Sequence, residues 1–256
     1  MDIILPGAHN LESCDTGFTC LVVDDVLAID AGGLSTNLSF TAQQNLKAIL
    51  LTHHHYDHIK DLPAIAMNFY VSGNTVSVYG TREVYNELTS HLFDGKLYPN
   101  FMERPPEKPT VRFIEVEPYR SFKIDDYEVL PVPVKHGVPA VGYQITSPDG
   151  QAIFYTGDTG PSLEECWQHV APRLLIVEVT MPNELEEVAV EAGHLTPALL
   201  KQEMLVFQKH NGYLPRIVTV HMNPEMQEEI ETQLQEVAEA LGHPVTPGYE
   251  GMRLKL

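Results

Sequence analysis

At 256 residues, 43% of them hydrophobic, the chain is long enough for one large domain or two small ones, with ample core for either. Its 35 acidic against 16 basic side chains give a formal charge of −19. That balance argues against a long polyanionic partner, because nucleic-acid affinity rests mostly on Lys and Arg at phosphates. The three cysteines, Cys14, Cys20 and Cys166, are odd in number and form no metal-binding pair, so they fit a reducing compartment better than a disulfide framework. The N-terminus lacks a basic region leading into an apolar run, and no stretch approaches the roughly 20 apolar residues of a membrane span. The expectation is a soluble cytoplasmic protein.

In chain order, β-type runs come first, over 3–5, 18–23 and 26–29, with Asp24-Asp25 as the hairpin turn between the last two. The third run ends in Asp30-Ala31-Gly32-Gly33. On spacing alone Asp30 reads as a cap or turn former; the functional alternative is an acceptor that orients a metal-binding histidine. An apolar run over 48–52 then meets His53-His54-His55-Tyr56-Asp57-His58 and a helical pattern to about Tyr70. A strand over 76–79 and a helix over 81–93 follow. The Pro-rich stretch 97–109, with Tyr98 and Phe101, reads as a surface excursion that covers a site or meets a partner subunit. The second half carries strands over 111–116, 127–134, 141–146 and 151–156, the last two joined by the turn Ser147-Pro148-Asp149-Gly150. Helical patterns occupy 162–170, 196–210 and 224–241, and buried strands occupy 174–179 and 217–220. Two strand-rich halves, each with helices, predict two sheets packed face to face with helices outside. No solenoid-length repeat is visible.

The run 48–52 stops abruptly at four histidines and an aspartate, which packing does not explain. Imidazoles and a carboxylate gather at a strand end when they bind something cationic. His53 and His55 are two apart, so extended backbone points both rings to one face and His54 to the other. Asp57 and His58 sit where the chain turns into helix and aim at a second point, which is the geometry of a two-metal site. Four further polar residues stand at strand ends or turns: His136, Asp158, His194 and His221. Singly each is weak, since a lone histidine beside a strand is more often a hydrogen-bonded core or surface residue. Together they amount to a coordination set. His9, His91, His169, His210 and His243 have no ligand context.

The cluster His53-x-His55-x-Asp57-His58, followed by His136, Asp158 and His221, resembles the metallo-β-lactamase superfamily. The likeness extends over nearly the whole chain, Asp30-Ala31-Gly32 included. It implies an α/β (α+β) fold, a four-layer αβ/βα sandwich forming one domain over 1–256, with a Pro-rich excursion around 95–110. Within the superfamily, the stretches 155–161, 178–183, 192–197 and 220–224 look like the class II cyclic-nucleotide phosphodiesterases, as does the segment 91–101. One departure is Gly137-Val138-Pro139-Ala140, where that family tends to carry a serine shortly after the histidine.

Carried over residue by residue, the resemblance implies His53, His55 and His136 on one metal, Asp57, His58 and His221 on a second, and Asp158 bridging. Zinc suits these imidazole-rich ligands, and manganese or iron is accommodated by mixed N/O sites. Two cations about 3.5–4 Å apart lower the pKa of a shared water and clamp the attacking and leaving oxygens of an in-line displacement. Asp57 and His194 are the implied catalytic groups, His194 donating to a phosphoryl oxygen or leaving alkoxide. The ordinary reading of His194 is a histidine at a helix N-terminus before Thr196-Pro197. Glu178 is expected either to orient His194 or a ligand histidine, or to be structural.

The leading expectation is therefore a dinuclear-metal phosphodiesterase that hydrolyses cAMP or cGMP to the 5′-monophosphate, homodimeric by family analogy. A transfer-RNA 3′-end endonuclease of the ribonuclease Z kind is the alternative. Against it stand the acidic charge and Tyr155, three residues before Asp158, where that family looks to carry a Glu paired with its catalytic His. A thioester hydrolase or lactonase would leave His194 without a task. A metal-binding sensor or scaffold without chemistry is disfavoured by the complete ligand set. Flavin-dependent di-iron electron transfer is disfavoured by His55, where that family places a Glu.

Overall fold

Short apolar runs broken by turn residues build one seven-stranded sheet in each of two units of the chain. The computed structural model describes residues 1–256. The first unit comprises Met1–Gly7, Gly17–Glu117 and Glu250–Lys255; the second comprises Ala8–Thr16, Pro118–Tyr249 and Leu256.

In the first unit, β1 (Asp2–Gly7), β2 (Cys20–Val23) and β3 (Leu27–Ile29) form an antiparallel series. Asp24 and Asp25 turn between β2 and β3 with φ of 48° and 58°, the left-handed pair a tight hairpin uses. The chain continues through α1 (Leu34–Asn37), α2 (Phe40–Asn45), β4 (Ala48–Leu50), α3 (Tyr56–Ile59), α4 (Leu62–Ser72), β5 (Val76–Gly80), α5 (Arg82–Glu87) and β6 (Val111–Glu115). The helix expected over 81–93 is α5 continued by a wider π-type turn, Leu88–Leu92. The C-terminal strand Met252–Lys255 pairs antiparallel with β1. Three antiparallel pairings on that side thus give way to three parallel ones from β3 to β6. Helix α4 buries Leu62, Ile65, Ala66 and Phe69, the i, i+3, i+4, i+7 stripe of an amphipathic helix, against Val76, Val78 and Ile49 of the sheet. Each such large side chain contributes about 1.5–3 kcal/mol of burial before entropy is charged. The Pro-rich excursion is anchored inward by Phe101, whose ring meets Tyr70 at 5.4 Å and Tyr98 at 6.0 Å.

The second unit repeats the scheme. It contains β7 (Phe122–Ile124), β8 (Tyr127–Pro133), β9 (Val141–Thr146), β10 (Ala152–Tyr155), α6 (Glu164–Trp167), β11 (Leu174–Glu178), α7 (Glu186–Ala192), α8 (Pro197–Asn211), β12 (Arg216–Val220), α9 (Gln227–Leu241) and β13 (Val245–Pro247). Strands β7 to β10 pair antiparallel, and β10 to β13 pair parallel. Thr196 caps α8 by accepting from the Leu199 N–H at 3.4 Å, with Pro197 in the first turn. Trp167 packs edge-on against Phe154 and Phe207, at 6.2 and 5.5 Å between ring centres.

The helix expected over 162–170 shrinks to α6. Ser162 and Leu163 instead donate their N–H groups to the buried Glu203 carboxylate at 2.7 and 3.2 Å, and the Trp167 indole donates to it at 2.9 Å. Elements α1, α2, α7, β7, β13 and the C-terminal strand are absent from the sequence reading. Of these, α1 and α2 run over four and six residues, too few to show a 3.6-residue period. The observed organisation is the mixed α/β one expected, two sheets each with helices. No helix is long and apolar enough to cross a membrane.

Candidate metal-binding and catalytic site

In the first unit β3 and β4 are parallel, with Ile29 opposite Leu50, so Asp30 and Thr52 emerge at the same sheet edge. Carboxyl ends of parallel strands are where α/β proteins gather functional groups. Asp30 is fully buried and holds a left-handed φ of 59°, uncommon for a residue with a side chain. Its carboxylate accepts from the Thr52 N–H at 2.8 Å, from the Thr52 hydroxyl at 2.9 Å, and from His58 Nδ1 at 2.8 Å. An ionised carboxylate only accepts, so His58 carries its proton on Nδ1 and a lone pair on Nε2, the form a metal ligand requires. The His53 ring lies 4.1 Å from that of His58 and 4.7 Å from that of His55. Asp57 reaches His58 Nε2 at 3.4 Å. His54 stands outside this trio, 5.9 Å from the His55 ring.

The loop is docked by the residues after Asp30. Ala31 donates to the His58 carbonyl at 2.7 Å and accepts from the Asp61 N–H at 2.8 Å. A Cβ at Gly32 would fall 2.0 Å from the Asp57 carbonyl oxygen, so only glycine allows the approach. Asp30-Ala31-Gly32 is therefore a cradle for the histidine loop, with the Asp30 carboxylate on His58.

In the second unit Asp158, Glu178 and His221 leave or end the carboxyl ends of the parallel strands β10, β11 and β12, with Glu178 opposite Val220. One oxygen of Asp158, Oδ2, faces Nε2 of His221 at 3.4 Å and Nε2 of His136 at 3.9 Å. His136 Nδ1 donates to the Gly193 carbonyl at 2.9 Å, which again directs the lone pair to Nε2. Burial pushes the His136 pKa down against the upward pull of the Asp158 charge, so the neutral ring is favoured. His221 sits at φ 64°. Thr180 Oγ1 lies 2.9 Å from its Nδ1.

His194 stacks on His221 at 5.4 Å and meets His136 edge-on at 5.2 Å. Its Nδ1 donates to Glu178 Oε1 at 2.7 Å. Glu178 is completely buried, and it also accepts from the Thr159 and Leu195 N–H groups at 3.0 and 3.2 Å. Gly193 has φ 79°, and a Cβ there would fall 2.9 Å from the Gly137 nitrogen; the bare backbone lets the His136 and His194 loops touch. The sequence reading missed Thr52, Thr180 and Gly193. A hydroxyl directly before His53, and another two residues after Glu178, were the available signals.

The remaining histidines have everyday partners: His9 with Gln227, His210 with Glu164, and His243 with the Pro215 carbonyl. Burial pushes the Cys20 thiol up to about 12 and raises Cys166 likewise, so neither is poised as a nucleophile.

Among curated proteins, the chain is 32% identical over 119 residues to a ribonuclease Z of Prochlorococcus marinus, covering 43% of this chain and 35% of that protein. It is 24% identical over 208 residues to a ribonuclease Z of Pyrococcus horikoshii, covering 76% and 64%. The chain thus spans less than two thirds of the length of these relatives. Among solved structures, unliganded yeast PDE1 superposes with a TM-score of 0.87 at 17% identity, over 100% of this chain and 99% of that one, a likeness of fold. The donor chemistry fits metal: imidazoles held by Nδ1 and carboxylates beside their Nε2 atoms make His/Asp clusters suited to a dinuclear site. The β-lactamase superfamily domain matches residues 22–222, and the chain accordingly belongs to that superfamily, with the metallo-β-lactamase fold.

Proposed function

We propose that the protein is a dinuclear-metal phosphodiesterase that hydrolyses a 3′,5′-cyclic nucleotide, cAMP or cGMP, to the 5′-monophosphate. In this reading His53, His55 and His136 would hold one ion and Asp57, His58 and His221 the other, with Asp158 available to both. The observation that carries it is Asp158 Oδ2 facing the Nε2 atoms of both His136 and His221, with His194 stacked beside them and engaged through Nδ1 by Glu178. Bound divalent cations, zinc first and manganese or iron next, supply an activated water and offset charge at phosphorus.

This chain's own residues do the rest. Asp30 and Glu178 fix the imidazoles before substrate arrives, so little reorganisation remains at the moment of reaction. His194, held at Nδ1, presents Nε2 and passes a proton from it to the leaving 3′ oxygen, while the Glu178 carboxylate stabilises the cationic ring beforehand. Asp57, 3.4 Å from His58 Nε2, is the second proposed catalytic group and would help to hold the activated water. The formal charge of −19 favours a small phosphodiester over a long nucleic acid. A cytoplasmic homodimer working as a single domain over 1–256 completes the reading.

A ribonuclease Z-type endonuclease is the second reading, favoured by the names of the curated relatives. Tyr155 stands three before Asp158, and the carboxylate on His194 comes instead from Glu178 on the neighbouring strand. The decisive test offers zinc- or manganese-loaded protein cAMP, cGMP, a chromogenic phosphodiester and precursor transfer RNA. Turnover of the cyclic nucleotides with release of the 5′-monophosphate is expected. Cleavage of the transfer RNA alone reverses the order, and no turnover of any phosphodiester overturns both.

A further inference from the structure

We infer that Thr52 and Thr180 are positioning residues, each setting the tautomer of one metal-ligating histidine through a buried carboxylate. The inference rests on the metal reading above for its consequence, and on hydrogen-bond geometry for its content. A threonine hydroxyl has one proton. In Thr52 it lies 3.0 and 2.9 Å from the two oxygens of Asp30, which only accept, so that proton goes to the carboxylate. Its oxygen also lies 3.0 Å from His53 Nδ1, and with its proton committed it can only accept there. His53 must then carry N–H at Nδ1 and a lone pair at Nε2.

Thr180 repeats the device. Its hydroxyl is 2.9 Å from Glu178 Oε2 and 2.9 Å from His221 Nδ1. By the same elimination His221 donates from Nδ1 and offers Nε2 to metal. His194 Nδ1 is also 3.3 Å from this oxygen but 2.7 Å from Glu178 Oε1, which takes its proton. Thr180 and Glu178 therefore hold a metal ligand and the proton donor in one network, whereas Thr52 and Asp30 hold ligands alone. Both threonines are buried, Thr52 at 0% and Thr180 at 1% exposure, so water cannot replace the lost acceptor.

The test compares wild type with T52V, T180V, T52S and T180S, with melting curves to confirm folding. Histidine-labelled, metal-free wild type examined by long-range 15N–1H NMR is expected to show His53 and His221 as Nδ1–H tautomers. Nε2–H tautomers there overturn the inference even if every variant misfolds. The valine variants are expected to lose the Nδ1–H signature at the matching histidine and to bind zinc about 10–100-fold more weakly by chelator competition, with serine restoring both. At saturating zinc, kcat is expected to fall further in T180V than in T52V, KM moving less. Valine variants that keep the tautomer, and zinc affinity within about twofold, overturn the inference. A wild type that takes up no zinc defeats the metal reading instead, while the tautomer measurement still decides this one.

Discussion

The first unit sets Asp30 beneath His58 and Thr52, and the second sets Glu178 beneath His194 and Thr180. Each carboxylate grips one imidazole directly, at 2.8 and 2.7 Å, and reaches a second through a hydroxyl, at 3.0 and 2.9 Å. Both networks stand at the carboxyl ends of parallel strands, and each includes a residue in the left-handed region, Asp30 at φ 59° and His221 at φ 64°. The difference lies in what the directly held ring does. His58 has Asp57 at 3.4 Å and belongs with its neighbours in the proposed ligand set. His194 instead stacks beside His221, outside the pair that faces Asp158, and is the proposed proton donor. The same carboxylate–hydroxyl–imidazole parts thus hold two proposed ligands in one unit and, in the other, a proposed ligand and the proposed proton donor.

Three measurements break or sharpen this comparison. The largest effect is expected from His194→Ala: kcat falls by about 10²–10⁴ while zinc content per chain holds, which separates His194 from the ligand histidines. Loss of zinc together with activity would place His194 among the ligands and erase the contrast.

Next in size are the two carboxylates. Asp30→Asn turns an acceptor into an amide that can face His58 with a donor, and zinc affinity is expected to fall by about 10–100-fold. Glu178→Gln is expected to lower kcat at saturating zinc as well as affinity, because His194 and His221 both depend on it. Equal kcat losses in the two variants would remove the functional distinction between the units.

The smallest effect concerns pH. Burial lowers the His136 pKa in the folded state, so its neutral form adds stability above the unfolded value, about 6.5, and that stability is lost as pH falls through the folded value. Metal-free wild type should melt at a lower temperature near pH 5 than near pH 7.5, and His136→Gln should flatten the dependence. An unchanged slope in the variant would assign the dependence to other groups.

Some of this was legible in the chain alone. Ala48 to Leu50 ends in a quartet of histidines with an aspartate, and no packing rule produces that, so a cation site could be read from composition at one strand end. The strands β4, β5, β8, β9, β11 and β12 were legible because apolar runs bounded by turn residues report burial locally. What joins the parts was not. Asp30 meets His58 across 28 positions, Thr180 meets His221 across 41, and His136 meets Gly193 across 57. Periodicity and spacing describe a residue's neighbours within a turn or a strand; they are silent on which hydroxyl will lie beside which ring.

Thus residue types at strand ends carried the resemblance to the superfamily, and that resemblance implied the fold class and the candidate ligands. Only the tertiary structure decided that Glu178 serves two histidines, that Thr52 and Thr180 leave Nε2 as the lone-pair nitrogen, and that Gly32 and Gly193 must lack a side chain. The physical reason is that tautomer and ring orientation are set by hydrogen bonds from distant segments at distances of about 3 Å. Those distances exist only once the sheets have brought the strand ends into register.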